Sequence, residues 1–107
     1  MGNRNRMGYE ADMTYQHRVW LNARKMDTRE HAHAHLKKRL RLPEWYGNNL
    51  DALNDCLGEI GEPTWIVMRF APMLSQSLGE YGTRMIRVLE QATQENQNLR
   101  ISFKNGF

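Results

Sequence analysis

Short apolar stretches at three places in the chain predict β-strands. Residues 18–21 form the first and end near Asn22. Residues 65–68 are apolar at four successive positions, a pattern typical of a strand that is covered on both faces. Residues 99–103 alternate apolar and polar side chains, which predicts a strand with one buried face.

Longer stretches between these strands carry the signals of helices. A helix is predicted to start at Thr28, an N-capping residue, and to run to about Leu40, before Pro43. A turn over 45–47 follows, in which Gly47 is free to take a positive φ. Asn48 or Asn49 then caps a second helix that ends between residues 58 and 61.

Two further helices are predicted in the second half of the chain. A short one covers about residues 73–78. An amphipathic one follows Gly82 and runs to about Gln94, with Met85, Ile86, Leu89 and Ala92 on its apolar side. Strands that alternate with helices predict an α/β fold, a small parallel sheet with about four helices and right-handed crossovers.

The length of 107 residues predicts one domain. Residues 1–15 lack periodicity and are expected to be a disordered arm, so the predicted domain covers residues 16–107. The composition is typical of a soluble protein, and the apolar run 65–68 is far too short to span a membrane. The single cysteine, Cys56, is interpreted as a small packing residue and fits a reducing cytoplasm.

Charge is segregated along the chain. Residues 1–41 contain 10 basic and 4 acidic side chains, a net charge of +6. Residues 42–68 contain five acids and no Lys or Arg, a net charge of −5, although the whole chain carries +3. An acidic block in a basic chain indicates a basic partner for that block.

The second helix places two of these acids on its exposed side. Its apolar residues Leu50, Leu53, Leu57 and Ile60 have helical spacing, and Asp51 and Asp55 lie opposite them, four residues apart. The helix dipole stabilises Asp51 in the first turn but fades before Asp55, and the two carboxylates repel each other. They can form a catalytic acid–base pair, a solvated face or a binding surface. A binding surface is favoured, because rigid carboxylates suit the capture of arginines and can mimic phosphate.

Other patterns have less specific interpretations. His31 and His35 are spaced to share a metal ion, but ligands to complete a site are missing, and His31, His33 and His35 are expected on an exposed helix face. No metal or other cofactor is therefore predicted. The basic run 37–41 can contact phosphate, yet it has no interleaved aromatic residues and is interpreted as a solvated helix end. Trp65 and the methionines are expected in the core.

Trp45 and Tyr46 are adjacent, so one is expected to pack under the turn and the other to stay near the surface. An exposed aromatic residue next to charge is typical of an interface hot spot.

Residues 35–57, HLKKRLRLPEWYGNNLDALNDCL, closely resemble the barstar family, cytoplasmic inhibitors of secreted ribonucleases. The resemblance implies a three-stranded parallel sheet and no enzymatic activity. It implies that the acidic helix and its preceding loop plug the active site of a barnase-like ribonuclease or a ribonuclease toxin domain. Asp55 would take the place of an RNA phosphate. The residues implied in partner binding are Trp45, Asn49, Leu50, Asp51, Asn54, Asp55, Glu59, Glu62 and Glu95.

The chain departs from that family at several positions. Asn54 and Ile60 stand where barstar has tryptophans, and Trp45 replaces a tyrosine. The leading hypothesis is a bacterial, cytoplasmic ribonuclease inhibitor or immunity protein of a toxin–antitoxin pair, with no membrane partner and no direct binding of nucleic acid. The alternative is a basic RNA- or ribosome-associated domain that uses residues 35–41.

Overall fold

The computed structural model describes residues 17–107, so the expected disordered arm, residues 1–15, lies outside the described residues. The strands are β1 (His17–Asn22), β2 (Thr64–Arg69) and β3 (Leu99–Phe103). The helices are α1 (Arg29–Leu40), α2 (Leu50–Gly58), α3 (Pro72–Leu78) and α4 (Glu80–Glu95), and a short 3-10 turn covers Ala23–Lys25. The sheet is parallel with strand order β1-β2-β3. This confirms the predicted α/β fold of three parallel strands and four helices.

The strand register gives the sheet two different faces. One face carries Val19, Leu21, Ile66, Met68 and Leu99, and all five belong to the core cluster that the helices complete. We call this the inner sheet face.

The opposite, outer sheet face carries Trp20, Trp65 and Val67 among polar residues. Val67 is buried there, but it lies outside the core cluster, and Trp65 is only half-buried. The prediction that residues 65–68 are covered on both faces is therefore confirmed at Val67, which is 4% exposed, and wrong at Trp65. The prediction that Trp65 fills the core is also wrong, because the helical core packs on the inner sheet face.

Capping residues set the ends of α1 and the start of α2. The Thr28 side chain accepts a hydrogen bond from the backbone N–H of His31, as predicted for the start of α1. Arg41, with a φ of 55°, ends α1 two residues before Pro43. Asn49 caps α2 by accepting a hydrogen bond from the N–H of Ala52 at 2.7 Å.

The turn before α2 differs from the prediction in one respect. Asn48 takes the positive φ, 56°, whereas Gly47 does not. Asparagine tolerates this left-handed conformation better than most residues that carry a side chain.

Gly82 lies inside α4 and not ahead of it, so the predicted start of this helix is too late. A Cβ atom at this position would lie 2.4 Å from the backbone oxygen of Leu74. Gly82 therefore lets α3 approach α4 closely. The glycine that was predicted to precede the helix is required for helix packing. No helix within residues 17–107 is long and apolar enough to cross a membrane.

Candidate functional site

The exposed side of α2, which we call the acidic face, presents Asp51, Asn54 and Asp55, with Glu59 following at the helix end. The opposite side of the helix buries Leu53, Cys56 and Leu57 in the core. Within residues 17–107, neither Asp51 nor Asp55 forms an ion pair or a side-chain hydrogen bond. Their charges therefore stay available to a partner, while their backbone is held by the packing of the helix.

The loop before α2 adds one exposed aromatic residue to this surface. Trp45 is 69% exposed, whereas Tyr46 is only 4% exposed, which confirms that one of the two packs inward. The backbone N–H of Tyr46 donates to Pro43 O at 2.9 Å and closes the turn. Trp45 is one of two large hydrophobic residues exposed in the described part of the chain, and it precedes the first residue of α2 by five positions.

A buried histidine anchors this loop from below. His33 is 1% exposed, and its Nδ1 lies 2.6 Å from the Tyr46 hydroxyl. Its Nε2 lies 2.6 Å from the Tyr81 hydroxyl. In a neutral imidazole one nitrogen donates and the other accepts, so both hydroxyls are satisfied. The contacts join α1, the loop and α4 through one buried polar network.

Burial also sets the ionisation of this network. It lowers the pKa of His33, because the charged imidazolium loses its hydration. It raises the pKa of Tyr46, so that the hydroxyl stays protonated. His33 and Tyr46 are therefore neutral at physiological pH, and they hold the loop by a hydrogen bond and not by charge.

The predicted exposed histidine face is correct only for His31, whose Nδ1 lies 2.6 Å from Asp27 Oδ1. His35 is half-buried, and its Nε2 accepts a hydrogen bond from the backbone N–H of Asn22 at 3.0 Å. His33 shares a helix face with Leu36, three residues later, and this spacing was the signal for its burial. No group of three or more metal-ligating residues occurs within residues 17–107.

A cleft of about 650 Å³ adjoins the acidic face. It lies where α1, the loop and α4 meet, so its lining residues are far apart in the sequence. Asp51 of the acidic face contributes to the lining, and so does His33 of the buried network. The cleft also carries cations and acids, and the residues that contribute these charges are Arg29, Glu30, Lys37, Asp51 and Arg84. The cleft therefore offers a partner both positively and negatively charged groups beside the acidic face.

The remaining predicted site residues differ in how accessible they are to a partner. Leu50 is 8% exposed and belongs to the core, so it can offer a partner only its edge. The Asn49 side chain is engaged in capping α2. Glu62 is exposed in the loop that leads to β2. Glu95 is exposed at the end of α4, beside Asn96, whose side-chain amide donates to backbone oxygens of the α2 C-terminal end.

The basic run 37–41 does not form one surface. Lys37 Nζ lies 3.8 Å from the Glu44 carboxylate, on the side of the loop. Arg39 Nε donates to Trp20 O at 2.9 Å, on the side of β1. These contacts turn the two cations toward different parts of the molecule, which argues against a phosphate site built from the run alone.

Cys56 is buried, as predicted for a packing residue, and burial together with the nearby Glu59 and Asp55 charges raises the pKa of its thiol. A raised pKa disfavours the thiolate, so Cys56 is not an activated nucleophile.

Comparison with known proteins agrees with the fold. The family model described as Barstar (barnase inhibitor) matches residues 16–106. A protein of Bacillus subtilis (strain 168) named "Putative ribonuclease inhibitor YrdF" is 33% identical over 79 residues, which cover 73% of this chain and 87% of that protein. The family match includes the acidic face, the loop and all three strands.

Proposed function

The chain belongs to the barstar family, whose members are inhibitors and not enzymes, and from this premise we propose that it blocks a ribonuclease active site with its acidic face. The observation that carries the proposal is the pair of exposed carboxylates on α2, which have no ion-pair partner within residues 17–107. A ribonuclease must bind the phosphates of RNA, so its active site is cationic. Carboxylates fixed on a helix can occupy such a site.

Asp55 is the residue for which the stability of the chain itself offers least explanation. It lies in the second turn of α2, where the favourable effect of the helix dipole has faded, and it is four residues from the like charge of Asp51. A partner that supplies arginine or lysine removes this repulsion and forms charge-assisted hydrogen bonds. We therefore assign Asp55 the central contact and Asp51 a flanking one.

The loop supplies the aromatic contact of the proposed interface. Trp45 can bury a large side chain against the ribonuclease, as interface hot spots commonly do. The hydrogen bonds of His33 to Tyr46 and Tyr81 hold this loop before the partner arrives. A preorganised loop loses less conformational entropy on binding, which favours affinity.

The partner proposed is a barnase-like ribonuclease or a ribonuclease toxin domain, met in the bacterial cytoplasm. Asn54 lies on the acidic face and has a smaller side chain than the tryptophan of barstar. Ile60 is half-buried at the other substituted position. Both changes reduce aromatic contact area, so they favour a partner whose surface differs from that of barnase.

The test is a titration of barnase-like ribonucleases with the chain and with Asp55→Ala. Removal of a central buried charge pair is expected to cost roughly 2 kcal/mol or more, a magnitude known from barnase–barstar charge pairs, which is about 30-fold in the inhibition constant. Glu90→Ala is the matched control, because it removes an exposed carboxylate from α4.

Lys37→Ala and Lys38→Ala test the opposite sign of charge, and both variants should retain inhibition. If Asp55→Ala inhibits within threefold of the unaltered chain, the acidic face is not the binding surface. Circular dichroism of each variant separates a lost contact from a lost fold.

A further inference from the structure

The outer sheet face is strongly basic and carries two indole rings. The register aligns Arg18 of β1, Trp65 of β2 and Arg100 of β3 in one row across the sheet. Trp20 lies in the next row, and the face is extended by Arg69 and Lys104. None of the residues at the outward register positions is acidic.

The cations of this face lie against the rings. The guanidinium carbons of Arg18 and Arg100 are 4.6 Å and 4.3 Å from the centroid of the Trp65 ring, one from each neighbouring strand. Trp65 Nε1 donates to Ser102 Oγ at 2.9 Å, which fixes the orientation of the indole. The face is therefore an ordered row of planar groups, alternately cationic and aromatic.

The same arrangement continues around Trp20. Arg69 and Lys104 lie 5.4 Å and 5.9 Å from its ring centroid. Trp20 also lines a second cleft, of about 230 Å³, whose charged lining residues are Lys25, Lys38, Arg39 and Arg69. In the sequence, the basic run 37–41 has no interleaved aromatic residue, but the fold brings Trp20 beside it.

Several features of this face point to an anionic ligand. Cations on one surface repel each other, and the described residues place no acid among them. Arg69 Nε is buried without a hydrogen-bond acceptor in residues 17–107, so one donor remains unsatisfied. The sequence of residues 1–16 contains two arginines and two acids, so it has no net negative charge to complement the face.

We propose that the outer sheet face binds single-stranded nucleic acid. Phosphates would lie on Arg18, Arg100 and the cations around the second cleft, and unpaired bases would stack on the indole and guanidinium planes. Single-stranded nucleic acid is bound in this way where a basic surface carries aromatic side chains, including on the exposed faces of sheets. The proposal uses none of the acidic-face residues, so it stands independently of ribonuclease inhibition, and it runs against the sequence-based prediction that nucleic acid is not bound.

The first test is fluorescence anisotropy of a labelled oligouridylate of about 12 nucleotides, a length that fits typical single-strand sites, titrated with the full chain in the absence of ribonuclease. The double variant Arg18→Glu/Arg100→Glu should weaken binding tenfold or more. The matched control is Arg84→Glu/Arg87→Glu, which makes the same change of net charge on α4 and should bind within threefold. A slope of about −3 in log K against log[salt] is expected from the neutralisation of about four phosphates.

The second test follows the indoles themselves. In a Trp45→Phe background, the oligouridylate should quench the remaining tryptophan fluorescence, and Trp65→Leu should reduce binding several-fold without changing inhibition of a ribonuclease. Oligothymidylate should bind comparably, because the proposed contacts involve bases and phosphates.

Three results would overturn the proposal: no binding at low salt, equal loss in the two double variants, or tighter binding of polyglutamate than of the oligonucleotide with no quenching. No binding at low salt would show that the face has no affinity for the oligonucleotide. Equal loss in the two double variants would show that binding depends only on the net charge of the chain. Tighter binding of polyglutamate would identify an acidic polypeptide as the partner.

Discussion

The acidic face and the outer sheet face carry opposite charges and are separated by the core. In the acidic face, Asp51 and Asp55 stand on α2 without ion pairs in the described residues. In the outer sheet face, Arg18 and Arg100 lie against the ring of Trp65. The net charge of +3 describes neither surface. A chain with a net positive charge can therefore still present a local acidic surface.

The two surfaces also differ in what lies beneath them. The loop next to the acidic face rests on His33, Tyr46 and Tyr81, a hydrogen-bonded network with a buried centre. The outer sheet face is ordered by contacts between cations and rings that remain half-exposed. Buried polar networks are costly to break, whereas exposed cation–π contacts contribute little. Substitutions beneath the acidic face should therefore affect stability more than substitutions on the sheet face.

The largest difference in the loss of unfolding free energy is expected between Tyr46→Phe and Arg100→Ala. Tyr46→Phe removes a hydroxyl that lies 2.6 Å from His33 Nδ1 and leaves a buried polar atom unpartnered. The free energy of unfolding should fall by about 1–3 kcal/mol. Arg100→Ala removes a contact at the surface and should cost about 1 kcal/mol or less. Urea denaturation measures both, and a larger loss in Arg100→Ala would reverse the comparison.

The pH dependence of stability provides a second comparison, between His33 beneath the loop and His35 beside β1. Burial lowers the pKa of both from the ordinary value of 6.5, and for His35 the charges of Arg39, Lys25 and Lys38 add to the effect. The unfolded chain then binds more protons than the folded chain below pH 6.5. The stabilisation is therefore complete above that pH and is lost as pH falls from 6.5 through the lowered values.

Urea denaturation between about pH 7.5 and pH 5 should show this loss, and His33→Gln and His35→Gln should each reduce it. Added salt screens the cations near His35 but does not change the burial of His33. Salt should therefore weaken the pH dependence contributed by His35 more than that contributed by His33. The same salt response in both variants would show that the two sites do not differ in this way.

The smallest effect concerns the turn that leads into the acidic face. Asn48 holds a φ of 56°, so Asn48→Ala should lower the free energy of unfolding by about 1 kcal/mol. Gly47→Ala is the control, because its Cβ would meet only ordinary contacts, at 3.4 Å from the Asn49 side chain and 3.5 Å from Ala52. Thermal unfolding of the pair compares them, and a larger cost at Gly47 would mean that the turn is formed differently.

Most of the fold could be predicted from local patterns. The caps at Thr28 and Asn49 and the alternation in β3 act over a few residues, so periodicity and capping were sufficient. The role of Gly82 could not be predicted, because it depends on the approach of the Leu74 backbone from another helix.

Of the two candidate surfaces, likewise, one could be predicted from the sequence and the other could not. The charge block and the spacing of Asp51 and Asp55 made the acidic face visible in one stretch of sequence. The outer sheet face was missed, because Arg18 and Arg100 meet Trp65 only through the register of three strands. The pattern at residues 65–68 predicted burial correctly at Val67 but not at Trp65, which lies half-buried outside the core cluster.

Binding of a ribonuclease by the acidic face is tested most directly by the backbone amide shifts of the ¹⁵N-labelled chain when a ribonuclease that it inhibits is added. We expect perturbations concentrated in the loop and acidic face, at Trp45, Asp51 and Asp55, and along α2 to Glu59. Trp65 and Arg100 on the outer sheet face should remain unperturbed. Perturbations concentrated on that sheet face, with α2 unchanged, would contradict the assignment of the acidic face as the surface that binds the ribonuclease.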